Sequence, residues 1–215
     1  KEQHLIITIT TLFLFSCANT VSWEDLNKNG KMDMYENTSQ SINNRVDDLV
    51  RRMSLNEKIS QLQDNSPGIE HLGVKPYLWR NEALHGVKAN TGPLGERCDT
   101  CINQTTVFPQ SIGLASTWNP ELVYKEAVAI SDEARALANR IDNYRYLNFW
   151  DPMINIARDP RWGRTQEGYG EDPFLVSQMA VQYIKGLQGN DEKYIKVIAS
   201  PKHFVANNVD GDRHF

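Results

Sequence analysis

The chain has 215 residues, 40% hydrophobic and 23% charged, with 23 Lys+Arg against 27 Asp+Glu and a net charge of -4. That balance argues against disorder, collagen-like sequence and a bundle of membrane spans, and is ordinary for a folded globular protein. Its basic residues form no block able to track phosphates, so no nucleic-acid partner is expected.

In chain order, the uncharged run Leu5 to Phe15 comes first. It is too short for a bilayer crossing of about 20 residues and suits the apolar core of a secretory signal. Leu14-Phe15-Ser16-Cys17 resembles a bacterial lipobox. The expectation is a signal over residues 1–16, lipidation of Cys17, and export to the periplasm or outer membrane of a bacterium. Membrane contact would then run only through the anchor; a buried apolar strand is the alternative.

Residues 17–37 read as a linker carrying an EF-hand-like loop. Asp25, Asn27, Asn29, Lys31, Asp33 and Glu36 match the spacing D-x-[DN]-x-[DN]-G-x5-E, with Asp33 an extra acid at the ninth position. Oxygens so spaced can converge on one hard cation, Lys31 through its carbonyl, while Gly30 permits the sharp turn. A structural calcium ion is expected, with no cofactor for catalysis. The other reading is an Asn/Asp/Gly-rich linker that makes its own turns.

Beyond it, Ile42, Val46, Leu49, Val50 and Met53 follow helical spacing, and Ser54 to Glu57 form a capping-box pattern ahead of Ile59 and Leu62. This region is expected to be helical and to cover a neighbour. Cys98 and Cys101 form a lone C-x-x-C, and a local disulfide is favoured over half a zinc site because no second pair accompanies it. Asn119-Pro120 and Asp172-Pro173 each read as an N-cap followed by a first-turn proline. They open helices with stripes at Val123, Ala127, Ile130, Ala134 and Leu137, and at Val176, Met179, Ala180, Tyr183 and Leu187; Gly189 is the expected stop. Tyr146 to Trp150 and Ile195 to Ala199 suit buried strands.

Strand, long loop, capped helix, strand is the grammar of a parallel α/β fold. A doubly wound sheet fits that grammar too, but no G-x-G-x-x-G or phosphate-loop motif is present. In a (β/α)8 barrel the chemistry lies where strands end. Three stretches fit: Trp79 to Gly86, the loop Asp151 to Asp172, and Ser200 to Phe204. Adjacent Lys202 and His203 at a strand exit are costly to bury without partners, which favours a ligand site. Aromatic faces beside Arg, Lys, His and carboxylates suit a neutral, hydroxyl-rich ligand.

NEALHGV, TVFPQSIGLASTWNPELV, NIARDPRWGRTQEGYGEDPFLV and IASPKHFVANN together resemble the amino-terminal barrel domain of glycoside hydrolase family 3, exo-acting β-glycosidases. The resemblance runs from about Asn44 to the end. It implies an α/β fold, a partial (β/α)8 TIM-type barrel over residues 38–215, incomplete at the C-terminus. By motif it makes Glu82, Arg164, Lys202 and His203 ligands of sugar hydroxyls and gives His85 a loop-shaping role. NEALHG resembles the xylosidase and arabinofuranosidase branch. Glutamate reaches one methylene beyond the aspartate of glucosidases, into space a hydroxymethyl group would fill, so terminal β-D-xylose of xylo-oligosaccharides is the expected substrate.

The family's retaining mechanism needs two carboxyl groups about 5 to 5.5 Å apart. By position alone Glu167 or Glu171 could be nominated as nucleophile. The resemblance instead has them shape the loop and orient Arg164, and places the nucleophile downstream of Phe215 and the acid/base in a second domain. No catalytic residue is therefore assigned here, and this chain alone is expected to be inactive. Asp210, Asp212 and Arg213 read as entrance-loop residues. A β-glucosidase is the alternative within the family; a lipid-anchored, non-catalytic carbohydrate-binding protein is the alternative of another class. Residues 38–215 fall short of the roughly 200 residues of the smallest complete barrels.

Overall fold

The computed structural model describes residues 23–78, 81–88, 104–141, 147–205 and 207–209. Cys17, Cys98, Cys101, Asp210, Asp212 and Arg213 lie outside them, as does the start of the first expected strand.

The amino-terminal part is held by side-chain caps. Glu36, 2% exposed, accepts N–H groups of Leu26 and Asp33 at 2.8 and 2.9 Å, so the linker closes on the 3-10 turn Met34–Glu36. Helix α1 (Ile42–Arg52) starts at Ser41, whose hydroxyl accepts the Asn44 N–H. It packs on that turn through Arg45, which donates to the Tyr35 carbonyl, and Asp48, which accepts the Tyr35 N–H. Helix α2 (Leu55–Ser60) has the reciprocal Ser54/Glu57 capping box. The stripe expected to cover a neighbour does not do so among the described residues. Ile42, Val46, Val50, Leu55, Ile59 and Leu62 all remain exposed, because α1 presents its polar Arg45/Asp48 side to Tyr35. Helix α2 also ends at Ser60, short of Leu62. Strands β1 (Asn65–Ser66) and β2 (Tyr77–Leu78) then form a short antiparallel pair.

The main core lies between two helices and two parallel strands. After the short helix α3 (Ser111–Ala115), Asn119 caps α4 (Pro120–Ile141) by accepting the Leu122 N–H, and Asp172 caps α5 (Pro173–Gln188) by accepting that of Phe174. Both expected stripes are buried: Val123, Ala127, Ile130 and Ala134 at 0% exposure, and Val176, Met179, Ala180, Tyr183 and Leu187 at 5% or less. Full burial of such side chains contributes about 1.5–3 kcal/mol each for the larger ones. Gly189, at φ 72, ends α5 where an L side chain would be strained.

Strands β3 (Asn148–Phe149) and β4 (Ile198–Ala199) pair in parallel, Asn148 opposite Ile198. They are shorter than the apolar runs suggest. The pairing continues irregularly, with Lys202 N–H donating to the Pro152 carbonyl and Ile154 N–H to that of Lys202. On the other side Trp150 N–H donates to the Asn81 carbonyl. Three neighbouring chain segments thus end together: Asn81–Glu82, Trp150–Asp151 and Ser200–Lys202. Helix α5 connects β3 to β4, a βαβ unit of the kind parallel barrels repeat.

Gly186 sets how closely α5 approaches α4. A Cβ there would lie 2.6 Å from both the Ala127 Cβ and the Tyr124 carbonyl oxygen. Gly186→Ala is expected to destabilise by about 1–3 kcal/mol through overpacking. A thermal melt of the two proteins checks this, and an unchanged Tm would contradict the close approach.

Candidate active site

A cleft of about 1160 Å³ opens where the three segments end, and Glu82, Trp150, Arg164, Glu167, Lys202 and His203 line it. All four residues expected to bind sugar hydroxyls therefore meet in one place. His85 lines it too, and its carbonyl accepts the Phe108 N–H at 2.8 Å. The next residue, Gly86, has φ 123, and a side chain there would collide with the Thr106 carbonyl. The His-Gly pair thus brings the segment around Thr106 against the wall of the cleft.

Each polar group is held from behind. Arg164 Nε and Nη2 donate to the two carboxylate oxygens of Glu167 at 2.7 and 2.6 Å, a bidentate pair that fixes the guanidinium plane. Its Nη1 lies 3.3 Å from His203 Nε2. His203 Nδ1 is 2.9 Å from Asn155 Oδ1, which also accepts the His203 N–H. With Nδ1–H donating to Asn155, Nε2 is left as the acceptor toward Arg164. Asn155 is itself tied to the Asn207 carbonyl through Nδ2.

Glu82 faces two ammonium groups, Lys202 Nζ at 3.5 Å and Lys88 Nζ at 3.7 Å. Burial pushes its carboxyl up, but Lys202, Lys88 and Arg164 outweigh burial and hold it below the usual glutamate range. Glu82 is thus an ionised acceptor at neutral pH, suited to hydroxyl hydrogens and unsuited to donating a proton. Glu167 is engaged by Arg164, and Glu171 is exposed outside the cleft lining. Glu167 thus orients Arg164, the task assigned to it from the motif; Glu171 makes no hydrogen bond to Arg164 among the described residues.

Sequence reasoning missed Asp151, Asn155 and Lys88. Asp151 is completely buried, and its Oδ2 accepts the Ala83 N–H at 2.5 Å, while Lys202 Nζ lies 3.8 Å from Oδ1. Desolvation pushes its carboxyl up to about 7; Lys202 and the Ala83 N–H oppose that rise, and Glu82 and Glu167 add to it. Asn155 stands in the quoted NIARDP run, but nothing in its spacing pairs it with His203.

In the linker, Asp25 accepts the Asn29 and Gly30 N–H groups, and Asp33 Oδ2 accepts both the Asn27 and Asn29 side-chain amides. Among the described residues no group of three or more His, Cys, Asp or Glu side chains is arranged to hold a metal ion. The loop's carboxylates accept N–H donors of the loop, and Asp33 Oδ1 also pairs with Arg52 of α1 at 2.9 Å.

Residues 41–215 match the family model described as "Glycosyl hydrolase family 3 N terminal domain". The chain is 42% identical over 182 residues to a xylan 1,4-beta-xylosidase of Xylanibacter ruminicola, covering 80% of this chain and 20% of that protein. It is 45% identical over 181 residues to beta-D-xylosidase 3 of Arabidopsis thaliana, covering 83% and 23%. Among solved structures, a GH3 exo-beta-xylosidase in complex with a xylobiose aziridine probe superposes with a TM-score of 0.68 at 32% identity, over 80% of this chain and 22% of that one. A GH3 beta-glucosidase of Bifidobacterium adolescentis gives 0.57 at 30% identity, over 74% and 21%. The chain thus spans about a quarter or less of these relatives. Its parallel βαβ core and the cleft at its strand ends are a portion of a TIM-barrel-like α/β domain, and the chain belongs to glycosyl hydrolase family 3.

Proposed function

We propose that this chain supplies the sugar-gripping part of an exo-acting retaining β-glycosidase that removes terminal β-linked xylose. The observation that carries the reading is the convergence of Glu82, Arg164, Lys202 and His203 on one cleft at parallel strand ends. The Lys202 ammonium and the Arg164 guanidinium donate to ring hydroxyls, the His203 imidazole adds a ring nitrogen, and the ionised Glu82 accepts hydroxyl hydrogens. Bonds held in place before the sugar arrives can act in the transition state without the reorganisation that water would need. Glu82 is held ionised by the neighbouring cations and Glu167 is closed onto Arg164, so neither is assigned the nucleophile or acid/base role. Those belong, on this reading, to other parts of a longer polypeptide.

The names of the xylosidase relatives support xylose, and so does Glu82. A second reading, β-glucosidase, draws on the similar Bifidobacterium structure. The two are separated by comparing nitrophenyl β-xyloside and β-glucoside hydrolysis by the full-length protein. The xyloside is expected to have the higher kcat/KM, and Glu82→Asp to shift the ratio toward the glucoside by roughly tenfold, the usual lower bound for one methylene. A native protein that prefers the glucoside would contradict the xylosidase reading.

We also propose a calcium ion at the Asp25–Glu36 loop, with a structural role. What supports it is the liganding pattern D-x-N-x-N-G together with the Asp33 carboxylate on which two asparagine side chains converge. A cation would take the place of those amide N–H donors, with the Lys31 carbonyl as a further ligand. Calorimetry is expected to detect calcium binding at millimolar concentration and Asp25→Ala to abolish it. No heat of binding in the native protein would overturn the assignment.

A further inference from the structure

Asp151 carries a buried carboxylate next to the cleft but does not line it. It follows Trp150 at the end of β3, has 0% exposure, and contacts both neighbouring segments from behind. Through Oδ2 it holds the N–H of Ala83, the residue after Glu82. Through Oδ1, which has no hydrogen-bond partner among the described residues, it faces the Lys202 ammonium.

That ammonium is shared. Lys202 Nζ stands 3.5 Å from Glu82 Oε1 and 3.8 Å from Asp151 Oδ1, with its side chain only 11% exposed. Neither separation is that of a closed ion pair, which lies near 2.7–2.9 Å. Pulled from both sides, the ammonium keeps donors for a hydroxyl, and Glu82, 3.5 Å from Lys202 and 3.7 Å from Lys88, is closed onto neither and can still accept one. If the rear carboxylate were removed, the ammonium would close on Glu82 and each would satisfy the other.

We propose that Asp151 is a positioning residue for sugar recognition: it fixes the Glu82 segment through Ala83 and holds Lys202 off Glu82, so that both remain open to the terminal sugar. The inference rests on the glycosidase reading for its sugar and on geometry alone for the pairing. Among the described residues, the charged and titratable groups that act on Asp151 are Lys202, Glu82, Glu167, Tyr169 and Tyr183. Lys202 is the cation within ion-pair distance of it among the described residues.

Asp151→Asn separates the two tasks, because an amide oxygen can still accept the Ala83 N–H while the charge toward Lys202 is lost. In the full-length protein above about pH 8, where a carboxyl held up at about 7 is ionised, this variant is expected to raise KM for a β-xyloside about tenfold, with kcat changed by less than about twofold, as loss of ground-state and transition-state binding alike requires. In a Lys202→Met background the same change should leave KM unaltered. A KM unchanged by Asp151→Asn, a loss confined to kcat, or an equal KM increase in the Lys202→Met background would each overturn the proposal.

A second readout needs no substrate. At about pH 8 or above, Lys202→Met leaves a buried carboxyl whose ionisation nothing offsets and should lower Tm, and adding Asp151→Asn should recover most of that loss. Additive Tm losses would overturn the pairing. If the native protein hydrolyses neither xyloside nor glucoside, the glycosidase reading fails, and the Tm cycle decides the pairing by itself.

Discussion

The parallel pairing of β3 with β4 is the constraint on which the site depends. Parallel strands share a direction, so their carboxyl ends open on the same side, and the chain must return through a crossover before the second strand can be laid down. Here the crossover is α5, whose Val176, Met179 and Tyr183 side chains are packed at 4% exposure or less. Tyr183 also donates its hydroxyl to the Ala83 carbonyl at 2.6 Å, which ties the Glu82 segment to the helix behind the sheet. Pairing, helix packing and cleft are one arrangement. Loosening α5 would shift Glu82 as well as Lys202.

From this scaffold the polar groups gain direction by being paired at the rear. Arg164 is oriented by Glu167, His203 by Asn155, and Lys202 by Asp151 on one side and Glu82 on the other. A flexible lysine or arginine left to solvent would lose side-chain entropy on gripping a sugar; one already held has lost most of it on folding. The arrangement favours recognition of a small neutral ring by several weak bonds, each too modest alone to define a ligand.

Much of this was legible in the residues. The Asn119-Pro120 and Asp172-Pro173 caps and the stripes of α4 and α5 are local signals, with period and cap chemistry in agreement, and they appear where expected. Glu82, Arg164, Lys202 and His203 were found through motifs. Their convergence could not be read from spacing alone, because it depends on strand pairing across the long Asp151 to Asp172 loop. Asp151 carries no local signal of burial, because an Asp-Pro pair by itself marks only a turn or a helix start. Its burial exists only once three segments meet around it. The stripe of α1 illustrates the opposite limit: periodicity reports an apolar face, and the polar contacts of Arg45 and Asp48 with Tyr35 decided which side turned inward.

The central claim is that these four side chains form a pocket for the terminal sugar. The most direct measurement is a crystal structure of the full-length protein with xylose bound. The account predicts the ring in this cleft, with Glu82, Arg164, Lys202 and His203 within hydrogen-bond distance of its hydroxyls. Xylose bound elsewhere, or seated in the cleft with Glu82 and Lys202 still turned to each other and away from the ring, would contradict it.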